Sequence, residues 1–224
     1  GLAMGTTVSI ANAVGAGDRK RAAQSIGNTV TLFMSLSVVL MGLLLLSVRP
    51  ITAVMATPPQ AVASTVSYLT VCFLGIPFIT AYNILASVFR GMGDSKSPMY
   101  FIAVACVCNI GLDFLFIGAL GFGPVGAALG TTLSQTVSVA LSLCVIVKKR
   151  SIGLSKSDFK PKKAVMRRLL SIGLPVAAQD GLIQIAFIVI TVIANSRGLN
   201  TAAAVGIVEK IIGFVFLVPS SLLS

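Results

Sequence analysis

Apolar residues occupy this chain in long stretches, and short polar segments separate each stretch from the next. A helix that crosses a bilayer needs roughly 20 mainly apolar residues, and most of these stretches reach that length. The first stretch is shorter and has the character of the tail of a span, because Gly15 to Asp18 end it. The pattern predicts seven helices, at about residues 1–17, 22–48, 63–89, 98–118, 125–147, 169–195 and 201–224.

Proline and glycine mark the turns between the predicted helices. Pro58-Pro59 cannot continue a helix, so a loop precedes the third stretch. Pro98 suits the first position of a helix, and the segment from Gly121 to Pro124 predicts a tight turn. Residues 148–168 form a basic linker, and its end favours an amphipathic helix at the membrane surface.

Composition narrows the class of protein. Hydrophobic residues make up 56% of the chain and charged residues only 10%, whereas soluble domains carry about a quarter charged residues. A water-soluble enzyme, a disordered chain and a disulfide scaffold are therefore excluded. The chain has no His, and its cysteines lie inside apolar stretches, so no metal or redox site is expected. These free thiols are Cys72, Cys106, Cys108 and Cys144.

Positive charge is concentrated on one side of the predicted topology. The net charge is +11, and 14 of the 17 cations lie in the loops around 18–21, 90–96 and 148–168. Such loops face the cytoplasm and its anionic lipids, which predicts a multi-pass protein of the cell inner (plasma) membrane. No basic stretch is interleaved with aromatic residues, so nucleic acid is not an expected partner.

Four charged residues remain inside the predicted spans, namely Asp113, Asp180, Glu209 and Lys210. Each costs at least about 2.5 kcal/mol at the centre of a lipid-exposed helix, so each is expected to face a bundle interior or a watery cavity. Lys210 points about 100° away from Glu209 and is better explained by pairing elsewhere or by reaching the interface. A lone aspartate can also serve only to bond a neighbouring helix, and this alternative stays open for Asp113 and Asp180.

Polar residues at helical spacing extend these charged positions into stripes. Because residues four apart share a helix face, three polar stripes predict a central hydrophilic cavity. The Ser and Thr members are also consistent with contacts that only hold helices together. The segment from Gly126 to Gly130 has the GxxxG spacing of closely packed helices. The stripes are Asn109 with Asp113; Asp180, Gln184, Thr191 and Asn195; and Thr131, Gln135, Ser138 and Ser142.

Several ordered motifs resemble the multidrug and toxic compound extrusion (MATE) transporters. The resemblance runs through the whole chain and would place it from late in the second helix to the end of the eighth. The motifs are Gly15 to Asp18 at the end of the second helix, Phe89 to Pro98 after the fourth, Asn109 to Gly118 in the fifth, Gly123 to Ala128 with Thr131 to Gln135 in the sixth, and Gly173 to Pro175 at the start of the second half.

The resemblance implies an all-α polytopic membrane protein with a twelve-helix, two-lobe fold, of which about seven helices are present here. It implies an amino-terminal lobe at 1–147, a basic cytoplasmic linker at 148–168 and the start of a carboxy-terminal lobe at 169–224. The two lobes of such carriers rock between inward-facing and outward-facing states. A full-length monomer is expected.

The resemblance also implies candidate site residues. Asp113 and Asn109 match positions that couple proton or cation movement, and Glu209 matches an acidic position of the eighth helix. Some relatives carry a glutamate deeper in the seventh helix, near Gln184, and Asp180 one turn earlier is a candidate substitute. The expected lining of the substrate cavity comprises Asn83, Thr131, Thr132, Gln135 and Gln184.

The function implied is export of cationic or amphipathic compounds by antiport with H⁺ or Na⁺, with no other cofactor. Protonation of Asp113 would change its hydrogen bonds and weaken the hold on a cationic substrate. A flippase for a lipid-linked saccharide or peptidoglycan precursor is the alternative within the wider superfamily, and it would call for a more cationic cavity. A non-transporting scaffold or a channel is a further alternative, whereas an enzyme is not expected.

Overall fold

The computed structural model describes residues 2–54, 62–149 and 155–196, together with 205, 207–208 and 211–216. Helices dominate these residues, and no strand occurs among them. A π-helical stretch at Phe114–Ala119 continues α5, and a 3-10 turn at Lys156–Phe159 precedes α7. The α-helices are α1 at Leu2–Gly15, α2 at Arg19–Leu46, α3 at Val48–Val54, α4 at Val62–Gly91, α5 at Lys96–Asp113, α6 at Gly123–Lys149 and α7 at Lys163–Ser196.

Five segments in the described part of the chain are long and apolar enough to cross a membrane. This confirms the prediction of an all-helical, multi-pass membrane protein. Most of the last predicted span, 201–224, lies outside the described residues. The five segments are Arg19–Leu46, Val62–Gly91, Lys96–Ala119, Gly123–Ile146 and Lys163–Phe187.

The turn between α1 and α2 shows how local sequence ends one helix and begins the next. Gly17 has a φ of +70°, a backbone conformation that residues with a Cβ adopt only with strain. Asp18 then caps α2, because its Oδ1 accepts a hydrogen bond of 2.9 Å from the backbone N–H of Arg21. The three cations of this turn are consequently held at the very start of α2.

Two helix boundaries differ from the sequence prediction. The short helix α3 follows α2 almost directly and contains Arg49 and Pro50, where a loop was expected. Helix α7 begins at Lys163, six residues before the predicted start of the span, so 163–168 form its first turns and not a separate amphipathic helix. A charged residue can end the apolar part of a helix without ending the helix itself, because the backbone hydrogen bonds of a helix are local.

The chain divides into two compact units, Leu2–Leu174 and Pro175–Ser224 with Gly1. In the first unit α4 packs against α1, α2 and α6, and α5 packs against α6. Its apolar core joins α1, α2 and α4. The core side chains are Ile10, Ile26, Phe33, Ile84 and Val88. The second unit contains the part of α7 after Pro175, and the predicted division into lobes stays a prediction.

Polar side chains also hold α1 to α2. The hydroxyls of Thr6 and Thr29 lie 3.3 Å apart, and those of Ser9 and Ser25 lie 3.1 Å apart. All four residues are buried. Short hydroxyl side chains let helices approach closely and satisfy one another where no water is present, so this interface is typical of membrane helices.

Candidate functional site

Asp113 is the last residue of α5, at the point where the backbone changes from an α-helix to a π-helix. In the π-helical stretch the backbone N–H of Leu120 donates to the carbonyl of Leu115 at 2.9 Å, a spacing of five residues. Single π-helical turns are uncommon and occur frequently at functional sites. The wider turn begins directly after the carboxylate.

Two glycines one turn apart on α6 pack against the end of α5 and the π-helical stretch that follows it. A Cβ on Gly126 would lie 3.0 Å from Cβ of Phe116, which is closer than side chains normally pack. A Cβ on Gly130 would overlap Oδ1 of Asp113 and would lie 3.4 Å from Nδ2 of Asn109. The side chains of Asp113 and Asn109 therefore pack directly against Gly130. Gly126 allows α6 to approach the π-helical stretch closely at Phe116.

The polar atoms that pack against Gly130 have no hydrogen-bond partner among the described residues. Among the residues that the structure describes, neither Oδ1 of Asp113 nor Nδ2 of Asn109 has a hydrogen-bond partner, and both atoms are buried. Leaving such an atom buried and unsatisfied costs about 1–3 kcal/mol. A hydrogen-bond acceptor and a donor thus lie beside each other at the α5–α6 interface, and the carboxylate is chemically suited to take up a proton or a cation. We name Asn109, Asp113 and Gly130 the carboxylate site.

Gln135 is a third predicted residue with an unsatisfied polar atom. Its Oε1 is buried and has no hydrogen-bond partner in the described ranges, and the same holds for Nε of Arg90 at the end of α4. Gln135 lies five residues after Gly130, so helical geometry directs its side chain about 140° away from the carboxylate site. A role for Gln135 in the substrate cavity stays a prediction.

Three other predicted cavity residues make their contacts within their own helix or with α4. Thr131 and Asn83 are exposed, and each donates to a carbonyl of its own helix, Thr131 to Ala127 at 3.0 Å and Asn83 to Ile79 at 2.8 Å. Thr132 points toward α4, because a Cβ on Gly75 would lie 2.8 Å from its hydroxyl. Among the described residues none of these three side chains forms a hydrogen bond with Asp113, and their place in the cavity stays a prediction.

The predicted stripe on α6 differs in burial along its length. Ser138 and Ser142 are buried, and the hydroxyl of Ser138 donates to the carbonyl of Phe101 on α5 at 2.8 Å. The hydroxyl of Ser142 donates to the carbonyl of Ser138 at 2.8 Å. Ser138 therefore links α6 to α5, in agreement with the alternative that the sequence left open, whereas the hydrogen bond of Ser142 stays within α6.

The second unit contributes Asp180 and Gln184 on α7. They lie one turn apart, so they share a helix face as predicted, and both are exposed within this chain. The predicted acidic position Glu209 and the neighbouring Lys210 lie outside the described residues, as do the side chains of Thr191 and Asn195.

Gly130 is the site residue that sequence reasoning missed. The GxxxG spacing of Gly126 and Gly130 indicated close packing, but it did not reveal which side chain would occupy the space above each glycine. A carboxylate near the end of the preceding helix, followed by a short turn into a GxxxG helix, is the signal that would have connected them.

Comparison with known proteins gives a consistent result. The family model MatE matches residues 1–115. The chain is 30% identical to "Probable multidrug resistance protein YoeA" of Bacillus subtilis over 96% of this chain and 48% of that protein. The chain spans about half the length of the curated relatives it matches.

Two solved structures show the same fold. The "Crystal structure of MATE in the bent conformation" superposes with a TM-score of 0.88 at 28% identity, covering 96% of this chain and 49% of that one. A transporter of the MOP superfamily from Pyrococcus furiosus, described as having a "reverse polarity of binding pocket", superposes with a TM-score of 0.87 at 27% identity. That match covers 96% of this chain and 48% of the other.

Proposed function

Because this chain belongs to the MATE family, we propose that it forms part of a multidrug efflux transporter that exports cationic or amphipathic compounds by antiport with H⁺ or Na⁺. The observation that supports this proposal is the carboxylate site, where a buried, unpaired oxygen of Asp113 lies over Gly130. The names of the matched relatives agree with drug export, since YoeA is called a probable multidrug resistance protein.

The coupling follows from competition for one charge. When Asp113 is ionised, its carboxylate attracts a cationic compound or a sodium ion. When it is protonated, the charge is neutralised and the new O–H becomes a donor, so the attraction for a cationic compound is lost. Compound and coupling ion therefore exclude each other, which is the requirement for exchange.

The polarity of the site favours cationic cargo over the alternative of a flippase for a lipid-linked anionic precursor. Such a flippase would need cations to hold the pyrophosphate. In the described part of the α5–α6 interface the carboxylate of Asp113 lies against Gly130, and the amide of Asn109 lies close to the same glycine. The Pyrococcus furiosus relative illustrates that the polarity of the pocket can differ between proteins of this fold.

The proposed setting is the inner (plasma) membrane, with a monomeric full-length protein and the basic loops in the cytoplasm. Anionic lipids would then contact the cytoplasmic loops, and small molecules would be the other partners. No cofactor besides the coupling ion enters the proposal.

Replacement of Asp113 by asparagine tests the proposal. Full-length protein in liposomes is loaded with a fluorescent cation, and efflux is followed under an imposed pH gradient and then under a Na⁺ gradient. Asp113→Asn keeps the size of the side chain but cannot ionise, so coupled efflux is expected to fall by at least about tenfold. The gradient that drives efflux in the unmodified protein identifies the coupling ion.

Asp18→Asn is the matched control, since it removes a carboxylate from the loop before α2 and asparagine also caps helices well. Its efflux is expected to equal that of the unmodified protein. Coupled efflux that survives in Asp113→Asn would refute the assignment of Asp113.

A further inference from the structure

Helix α2 has a binding surface for the segment that leads into α7. Asn28 is fully buried, and its Nδ2 donates to the carbonyl of Asp158 at 3.1 Å. Its Oδ1 accepts a hydrogen bond of 2.6 Å from the backbone N–H of Lys162. One turn further along the helix face, the hydroxyl of Thr31 donates to the carbonyl of Phe159 at 2.8 Å. We call residues 155–162 the linker turn.

The linker turn is pre-formed and lies directly on the backbone of α2. The backbone N–H of Ser155 donates to Oδ2 of Asp158 at 2.9 Å, which closes a capping box around the 3-10 turn. A Cβ on Gly27 would lie 2.5 Å from the carbonyl carbon of Asp158, so only glycine permits this approach. The position of the linker turn is therefore fixed by α2.

Fixing the linker turn brings the first turns of α7 against α1. Leu169 is 1% exposed, and a Cβ on Gly5 would lie 2.5 Å from its carbonyl oxygen. This packing encloses a cleft of about 450 Å³ between the start of α2, the middle of α1 and the start of α7. The cleft is lined in part by Lys20, Arg21, Arg168, Asp18, Ser9 and Ser25.

Positive charge dominates the cleft. Lys20 and Arg21 belong to the first basic loop and Arg168 to the third, so two basic segments that are far apart in the sequence meet here. Asp18 is the only acidic residue that lines the cleft, and its Oδ1 already accepts the capping hydrogen bond from Arg21 N–H. The start of α2 adds the positive end of its helix dipole. Three cations against one carboxylate favour an anion.

We propose that the cleft binds the phosphate of an anionic phospholipid headgroup. Guanidinium and ammonium groups from two helices can contact the phosphate oxygens, and the volume exceeds what a phosphate alone requires. The loops that meet here are those predicted to lie at the cytoplasmic face, where anionic headgroups are present at high density. This site is separate from the carboxylate site and does not depend on the transport function.

Native mass spectrometry of the full-length protein in detergent tests the proposal with three probes: dioleoylphosphatidylglycerol, dioleoylphosphatidylcholine and inorganic phosphate. The phosphate of phosphatidylcholine carries a tethered cation, so it is expected to bind at least about tenfold more weakly than phosphatidylglycerol. Inorganic phosphate is expected to displace phosphatidylglycerol only at far higher concentration, because it lacks the acyl chains that hold the headgroup at the surface.

Two triple variants with the same net charge separate the cleft from general electrostatic attraction. Lys20→Gln/Arg21→Gln/Arg168→Gln removes the cations of the cleft and is expected to lose at least about tenfold in affinity for phosphatidylglycerol. The control, Lys160→Gln/Lys163→Gln/Arg167→Gln, removes three cations of the same region that do not line the cleft. It is expected to stay within about twofold of the unmodified protein.

Thermal unfolding of each variant shows whether it is folded, and the single variant Arg168→Gln replaces the triple variant if the latter unfolds. Equal losses in cleft and control variants would overturn the proposal, as would equal binding of the two lipids. Inorganic phosphate that binds as tightly as phosphatidylglycerol would also overturn it, because the ligand would then be free phosphate.

Discussion

A single missing Cβ determines the geometry of the carboxylate site. Helical periodicity places Asn109 and Asp113 on one face of α5, but the space that they occupy exists because position 130 of α6 is glycine. Any larger residue there would compete with the carboxylate for the same volume. Asp113 and Gly130 are therefore a matched pair of residues on neighbouring helices.

Gly130→Ala is expected to lower both stability and coupled efflux. Its Cβ would overlap Oδ1 of Asp113, so either the side chain or α6 must move, at a cost of about 1–3 kcal/mol. Thermal unfolding in detergent measures the first effect, and the liposome assay measures the second. Gly111→Ala on α5 is the control, because its Cβ would meet nothing within 4 Å. The two variants should unfold at clearly different temperatures, and equal unfolding temperatures would contradict the close contact.

At the scale of elements, α4 is the helix around which the first unit is assembled, since α1, α2 and α6 all pack on it. Its contact with α6 is close at Gly75, which lies against the side chain of Thr132. Pro77 follows two residues later inside the same helix. Proline removes a hydrogen bond from the helix, so packing against α6 helps to hold this part of α4 in place.

A double-mutant cycle tests the contact between α4 and α6. Gly75→Ala should destabilise the protein by about 1–3 kcal/mol, because the new Cβ would lie 2.8 Å from the hydroxyl of Thr132. Thr132→Ala removes that hydroxyl and the neighbouring methyl group, so the double variant should recover most of the loss. Thermal unfolding of the four proteins gives the coupling energy. Additive effects of the two substitutions would show that the residues do not touch.

The position of the linker turn depends on helix α2. Its carbonyl groups and N–H groups bond to Asn28 and Thr31, and its backbone passes over Gly27. These contacts use the backbone of the linker turn and not its side chains. They consequently depend on the shape of the turn, which the capping box between Ser155 and Asp158 maintains.

Gly27→Ala is expected to displace the linker turn from α2. The added Cβ would collide with the backbone of Asp158, and the hydrogen bonds of Asn28 would then be strained or lost. Limited trypsin digestion should cleave after Lys162 at least several times faster than in the unmodified protein. Gly42→Ala on the same helix meets nothing within 4 Å and should leave the rate unchanged. Equal rates in the two variants would show that the turn does not need glycine at position 27.

At the scale of the whole molecule, the distribution of charge predicts the orientation of the protein. The cations gather in three loops, and the structure brings cations of the first and third loops to one cleft. Loops of this kind remain on the cytoplasmic side because their transfer across the membrane is unfavourable. The turn between α5 and α6, which contains no cation, should lie on the opposite side.

Labelling of single cysteines tests this orientation. In a variant whose native cysteines are serines, Lys160→Cys and Phe122→Cys are treated with a membrane-impermeant maleimide. Lys160→Cys should react in inside-out vesicles and not in intact cells, because it lies in the third basic loop. Phe122→Cys, at an exposed position in the turn after α5, should show the reverse. Labelling of Lys160→Cys in intact cells would contradict the proposed topology and place the third basic loop outside.

Much of the architecture could be predicted from the sequence, because helix formation in a membrane depends on local composition. Apolar length located the spans, Gly17 and Asp18 located a turn, and the motifs indicated the family. The same reasoning paired Asn109 with Asp113, since residues four apart on a helix always share a face. It was less accurate at the start of α7, because a helix can continue past the hydrocarbon into charged sequence.

The class of protein, the helices and the residues able to carry charge within them follow from the amino-acid sequence, because each of these depends on neighbours along the chain. The contacts between distant segments come from the folded structure: Gly130 with Asp113, Asn28 with the linker turn, and Lys20 with Arg168 around one cleft. It also decided that the hydroxyl of Thr131 bonds to its own helix. Close contact depends on how whole helices are placed relative to one another. That placement is set jointly by side chains that are far apart in the sequence, because their volumes must fit together.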